Sequence, residues 1–164
     1  MTIEGFDLAN ACLDEDVFTY DGVAKKPKLC AEESENKELI PLVVDYLKIE
    51  YFYNTDAGIA TVKVSPKDSL DEHYHGTKTL TFTILSKDIK TLSVPRIPDG
   101  NYDGTPLKPE FTIKDGPIKL ELNKDYVAEY VNNVEVGTAT VTIHGIGNYT
   151  GTKVKTFKIL PPEN

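Results

Sequence analysis

The sequence predicts an all-β protein built as two tandem β-sandwich modules, residues 1–87 and 88–164, and three observations lead to it. The chain repeats its own motifs once, in order. Its apolar residues alternate with a period of two rather than 3.6. Clusters of Gly, Asn and Asp, residues that tolerate tight or left-handed backbone, separate the apolar runs. Six or seven short strands per copy, divided by such turns, fit a sandwich. Composition agrees with this: nine Tyr, one Met and no Trp, with abundant Thr, lean towards strands rather than helices.

Tyr20-Asp21-Gly22 followed by Lys26-Pro27 matches Tyr102-Asp103-Gly104 followed by Lys108-Pro109, at an offset of 82. Asp45-Tyr46 answers Asp125-Tyr126 at 80. Tyr51, Asn54 and Gly58-Ile59-Ala60-Thr61-Val62 match Tyr130, Asn133 and Gly137-Thr138-Ala139-Thr140-Val141 at 79. Tyr74-His75-Gly76-Thr77-Lys78 with Phe82 and Ile84 mirrors Tyr149-Thr150-Gly151-Thr152-Lys153 with Phe157 and Ile159 at 75. The falling offset makes the first copy the longer one, through insertions in its connections, the largest being four residues between Ser65 and Glu72.

Taken in chain order, Ala9, Ala11 and Leu13 form the apolar set of a first strand, which turns Cys12 to the opposite face. In Lys28-Leu29-Cys30-Ala31, Leu29 and Ala31 are the inward set and Cys30 faces outward. The two cysteines permit one disulfide, which would need their strands to be neighbours; the sequence does not show that, and they are read as free thiols. Glu38 to Leu47 has some helical character, but Pro41 disfavours a helix interior by roughly 3 kcal/mol. Its counterpart Ile118 to Leu122 alternates, so both are read as extended. Ala57–Val64 places Ala60, Val62 and Val64 against Ile59, Thr61 and Lys63. Thr79–Leu85 closes the first copy. Val134–Gly145 repeats the alternation with Ala139, Val141 and Ile143 against Thr138, Thr140 and Thr142, and Val154–Leu160 closes the second copy. The join Leu85-Ser86-Lys87-Asp88-Ile89 has no Gly or Pro run, which predicts a stiff, elongated rod of roughly 60–80 Å.

A formal net charge of −8 argues against nucleic acid, which demands a basic face. No stretch approaches the roughly 20 apolar residues that span a bilayer, so no membrane insertion is expected. The opening Met1-Thr2-Ile3-Glu4-Gly5 has neither the basic region nor the apolar core of a signal peptide. An exported protein would carry its signal and anchor elsewhere.

The sequence offers little material for catalysis. His73 and His75 could hold a metal, but Asn148 and Thr150 occupy the matching positions, only Asp71 and Glu72 stand near, and a zinc site wants at least three protein ligands. Asp14-Glu15-Asp16 and Asp68…Asp71-Glu72 lack the spaced ligands and glycine of a calcium loop. Tyr51-Phe52-Tyr53 is the most aromatic spot. Tyr51 recurs as Tyr130 and reads as core, whereas Phe52 or Tyr53 could form an exposed platform for a sugar or a protein. His144 is read as solvent-facing. No catalytic, cofactor-binding or metal residue is assigned, no cofactor is expected, and any ligand-binding residues are left unassigned.

The recurring Tyr-Asp-Gly…Lys-Pro, Asp-Tyr…Tyr…Asn-Asn and Gly-Thr-Ala-Thr-Val…Gly-Asn-Tyr-Thr-Gly-Thr…Phe-Lys-Ile resembles the YDG-type or MBG-type immunoglobulin-like repeats of bacterial surface adhesins and large secreted proteins. The second copy fits from Asn101 to Leu160. The first fits at Phe18–Lys28 and Asp45–Val62, and less closely at His73–Leu85. The resemblance implies two tandem immunoglobulin-like modules, extracellular or on the cell surface, that serve as stalks, spacers or adhesive surfaces. It supplies no catalytic residues. It implies structural roles instead, with Tyr102 burying its ring and bonding through its hydroxyl, Gly104 permitting a turn and Asn133 holding a strand end. The expected function is therefore a non-catalytic structural or adhesive pair whose partner is a surface protein or glycan, monomeric when isolated. The alternative is a glycan- or protein-binding accessory module of a secreted enzyme.

Overall fold

The computed structural model describes residues 5–32 and 39–162. Residues 1–4, which open the sequence, and Glu38, where the helical character begins, lie outside them. Among the described residues every regular element is a strand or a short 3-10 turn, and no α-helix forms. The chain divides into two compact units, Met1–Leu85 and Ser86–Asn164.

In the first unit β1 (Phe6–Asp7) leads through the 3-10 turn Leu8–Asn10 into β2 (Ala11–Leu13), followed by β3 (Val17–Thr19), β4 (Leu29–Glu32) and β5 (Leu39–Pro41). A second 3-10 turn, Val44–Tyr46, precedes β6 (Leu47–Phe52). Then come β7 (Gly58–Pro66), the short β8 (Tyr74–His75) and β9 (Lys78–Leu85). The main sheet runs β3-β9-β7-β6, with β7 antiparallel to both neighbours and β3 parallel to β9. A smaller antiparallel sheet runs β2-β4-β5, and β1 pairs parallel with β8.

The second unit opens with β10 (Lys87–Asp88) and the 3-10 turn Ile89–Thr91. It continues through β11 (Gly100–Asn101), β12 (Lys114–Asp115), β13 (Ile118–Lys119) and β14 (Tyr126–Val131). It closes with β15 (Gly137–Gly145), β16 (Tyr149–Thr150) and β17 (Thr152–Leu160). Its main sheet runs β11-β17-β15-β14, with β11 parallel to β17. Strand β10 pairs parallel with β16, and β12 pairs with β13.

Burial follows the alternation. Ala60, Val62 and Val64 of β7 and Ala139, Val141 and Ile143 of β15 are buried, whereas Ile59 on the other face of β7 is exposed. Phe82 and Ile84, like Phe157 and Ile159, are buried in the closing strands. Each buried Val, Ile or Phe among these contributes about 1.5–3 kcal/mol on leaving water. The sheets of the first unit feed one core, in which Leu8, Ala11 and Leu29 meet Leu47, Val64 and Tyr74.

Three local expectations need correction. Ala9 is exposed in a 3-10 turn and Leu8 is buried in its place. The cause is Asp7, whose Oδ1 accepts the Ala9 N–H at 2.9 Å and coils the chain before the strand begins. Cys30 is buried, only 2% exposed, although it stands on the face of β4 away from the core residue Leu29. The half-buried Cys12 side chain lies against it there, with the sulfurs 3.0 Å apart. Its strand is also a direct neighbour of the one carrying Cys12. Finally, the stretch after Glu38 is extended only as far as Pro41, then turns at Val44–Tyr46 before β6.

Candidate functional site

The residues shared by the two copies use their polar atoms on their own backbone. In the Tyr-Asp-Gly turns, Asp21 Oδ1 accepts the Val23 N–H at 2.8 Å. Asp103 Oδ1 accepts the Thr105 hydroxyl at 2.7 Å and its N–H at 2.8 Å. Those two donors hold the Asp103 carboxyl below the usual carboxylate range. Gly22 and Gly104 sit at φ of 78° and 80°, left-handed backbone that an alanine enters only with strain. Tyr20 is buried, and Tyr102 is half-buried. Tyr51 donates its hydroxyl to the Pro27 carbonyl at 2.9 Å, and Tyr130 does the same to Pro109 at 3.4 Å.

Asn54 and Asn133 act as two-way clamps. Asn133 donates Nδ2–H to the Leu107 carbonyl at 2.9 Å and accepts the Leu107 N–H on its main-chain oxygen at 2.8 Å. Asn54 makes the same pair with Lys25, at 2.8 and 2.7 Å. Near the start of each unit, Asp7 and Asp88 cap the 3-10 turns. Lys78 Nζ donates to the carbonyls of Ala9 and Ala11 at 2.6 and 2.8 Å, and Lys153 reaches those of Lys90 and Leu92.

The candidate reactive groups are dispersed. The His73 ring stacks on Tyr46 at a 4.1 Å centroid distance, with Nδ1 3.3 Å from Asp71 Oδ1. His75 instead approaches Asp7 at 3.9 Å. Partial desolvation, the largest influence on Asp71, pushes its carboxyl up, but the N–H groups of His73 and Tyr74 and the His73 ring together bring it below its ordinary value. His144 is half-buried, not freely solvated, with Nδ1 3.0 Å from the Thr152 hydroxyl and Nε2 3.6 Å from Glu129. Asp68 accepts the Leu70 N–H two residues on, as a turn-forming carboxylate does, and Asp14 accepts the Lys28 N–H across from it. Among the described residues no three His, Cys, Asp or Glu side chains converge as a metal centre requires. In the aromatic triplet Tyr51 is half-buried, Phe52 lies under Lys63 Nζ at 5.2 Å, and Tyr53 is 83% exposed.

Two features of the second unit escape a reading of the sequence. An open groove of about 980 Å³ lies between Lys108–Thr112, the stretch 119–123 and strand β14. Phe111, Leu122, Tyr126 and Tyr130 line it, the Phe111 and Tyr126 rings standing 6.0 Å apart and tilted by 37°. A signal was available. At the offset of the Lys-Pro motif Phe111 stands where the first copy has Leu29, which is buried, whereas Phe111 is only half-buried. The other feature is a polar trio centred on the buried Asp115, in which Lys87 Nζ meets Asp115 Oδ1 at 2.6 Å and the Tyr149 hydroxyl lies 3.4 Å from Asp115 Oδ2. In the first unit the matching Tyr74 oxygen accepts the Val43 N–H at 2.8 Å.

No protein-family model matches the chain, and no curated protein matches it.

Proposed function

We propose that the chain is a pair of immunoglobulin-like β-sandwich repeats from a bacterial cell-surface or secreted protein, without catalytic activity, acting as a stalk, spacer or adhesion surface. One observation carries this reading. The residues that recur between the copies are internal braces, as in the Tyr51 and Tyr130 hydroxyls on Pro27 and Pro109 and the Asn54 and Asn133 clamps. What duplication kept is the scaffold. The histidines and acidic clusters differ from copy to copy. The resemblance to YDG-type and MBG-type repeats supports the same conclusion and supplies the location. The test is to label intact and lysed cells of the source bacterium with antibodies against the chain. Labelling of intact cells is expected; labelling that requires lysis would remove the surface reading.

The groove favours a second reading, an accessory module that binds a glycan or a protein segment for a secreted enzyme. Its aromatic lining in the second unit is the kind of concave, partly apolar surface that ligands use. A glycan array probed with the chain and with Phe111→Ser separates the two. Binding that the substitution abolishes supports the accessory module, and no binding by either protein leaves the scaffold reading alone.

A further inference from the structure

The cysteine pair of the first unit reaches beyond the scaffold role. Cys12 and Cys30 stand directly opposite each other in the β2–β4 ladder, and their Sγ atoms are 3.0 Å apart. Opposed residues of an antiparallel ladder have Cα atoms about 4.5–5.5 Å apart. That lies within the roughly 4.4–6.8 Å found for disulfides. Closing to a bond of about 2.05 Å requires each sulfur to move by only about half an ångström. The register is fixed beside the pair, because Asp14 donates its N–H to the Lys28 carbonyl at 3.0 Å and Lys28 returns its N–H to Asp14 Oδ1 at 2.8 Å. The second unit has nothing comparable. Counted from the matching 3-10 turns, the counterpart of Cys12 is Ser93, which lies in no strand.

We propose that Cys12 and Cys30 are a disulfide-forming pair, oxidised by small-molecule disulfides, that fastens β2 to β4 in the first unit alone. Accessibility sets the order of events. Cys12 is half-buried, whereas Cys30 is buried with its thiol pushed up to about 12, first by burial and then by Cys12 and Asp14. Cys12 gives up its proton to water, and its thiolate attacks one sulfur of the small disulfide, forming a mixed disulfide and releasing one small thiolate, which takes up a proton. Cys30 then gives up its proton to water, attacks the Cys12 sulfur and expels the second small thiol, which takes up a proton. The two protein thiols lose two electrons, and the reagent disulfide gains them. The bond removes freedom from the unfolded chain between residues 12 and 30 and so raises stability.

The test uses the whole chain in a buffer of oxidised and reduced glutathione, quenched with acid, mapped by mass spectrometry and followed by thermal unfolding. The expected product is a monomer lighter by two hydrogen atoms, with a peptide joining Cys12 to Cys30. The thermal midpoint of the first unit should rise by roughly 10 °C and that of the second should not move. In Cys12→Ser the same buffer should leave both midpoints in place. A stable glutathione adduct on Cys12, unreacted thiols, disulfide-linked dimers, a bond that does not raise the midpoint, or a rise in Cys12→Ser would each overturn the proposal.

Discussion

At the scale of single residues, the two copies offer an internal comparison. Tyr53 and Asn132 occupy the same place after the first long hairpin strand, with φ of 57° and 55°. Asparagine tolerates that left-handed backbone through local hydrogen bonding, whereas a bulky side chain is strained there. Tyr53 is also largely exposed, so its ring returns little in burial. Tyr53→Asn should therefore stabilise the first unit by about 0.5–1 kcal/mol, measured by chemical denaturation. A loss of stability would show that the ring is held by contacts that the substitution breaks. The buried thiol makes a second case. Cys30 is raised from 9.0 to about 12, chiefly by burial, and Tyr51 is raised by burial and then by Asp14. Both groups stay neutral in the folded chain where the unfolded chain would ionise. Their contribution is complete below the unfolded values and is lost as pH climbs through the folded ones. The first unit should thus weaken between pH 9 and about 12. In Cys30→Ala the decline over that window should be shallower, and an unchanged slope would remove Cys30 from the account.

At the scale of elements, the Lys78 ammonium joins a 3-10 turn to the strand that follows it in space, through the Ala9 and Ala11 carbonyls. Lys78→Met keeps the aliphatic stem and removes both donors. It should cost about 1.5–3 kcal/mol, read as a lower denaturation midpoint for the first unit with no change in the second. An unshifted midpoint would mean that water replaces the ammonium without loss. How much of this was legible varies with the range of the interaction. The inward faces of β7 and β15 could be read because alternation is a local property, visible in Ala60-Thr61-Val62-Lys63-Val64 before any partner strand is known. The burial of Cys30 could not, since it depends on β2 lying beside β4 with Cys12 directly opposite, which only the fold reveals. Phe111 is hidden for a related reason: one aromatic residue has no period, and the groove needs three separate stretches to bring its walls together. The Lys87–Asp115–Tyr149 trio spans distant parts of the second unit and leaves no mark in any short window. The braces, by contrast, were visible as motif residues before their partners were known.

At the scale of the whole chain, each unit has its own main sheet and its own set of buried side chains. Residues 86–164 made alone should therefore fold and keep the denaturation midpoint that they have in the intact chain. A markedly lower midpoint would show that the first unit supports the second. The pairing of the strands has one more consequence. In both units a strand near the beginning runs parallel to the closing strand, β3 beside β9 and β11 beside β17. Tension applied to the two ends of a unit would drag such strands past each other, so that their bonds resist together rather than opening one by one like a zipper. The first unit holds this clamp with three register pairs, Val17 with Thr83, Phe18 with Ile84 and Thr19 with Leu85. The second has two, Gly100 with Ile159 and Asn101 with Leu160. Stretched as a single molecule, the chain should yield at the second unit first and hold longer at the first.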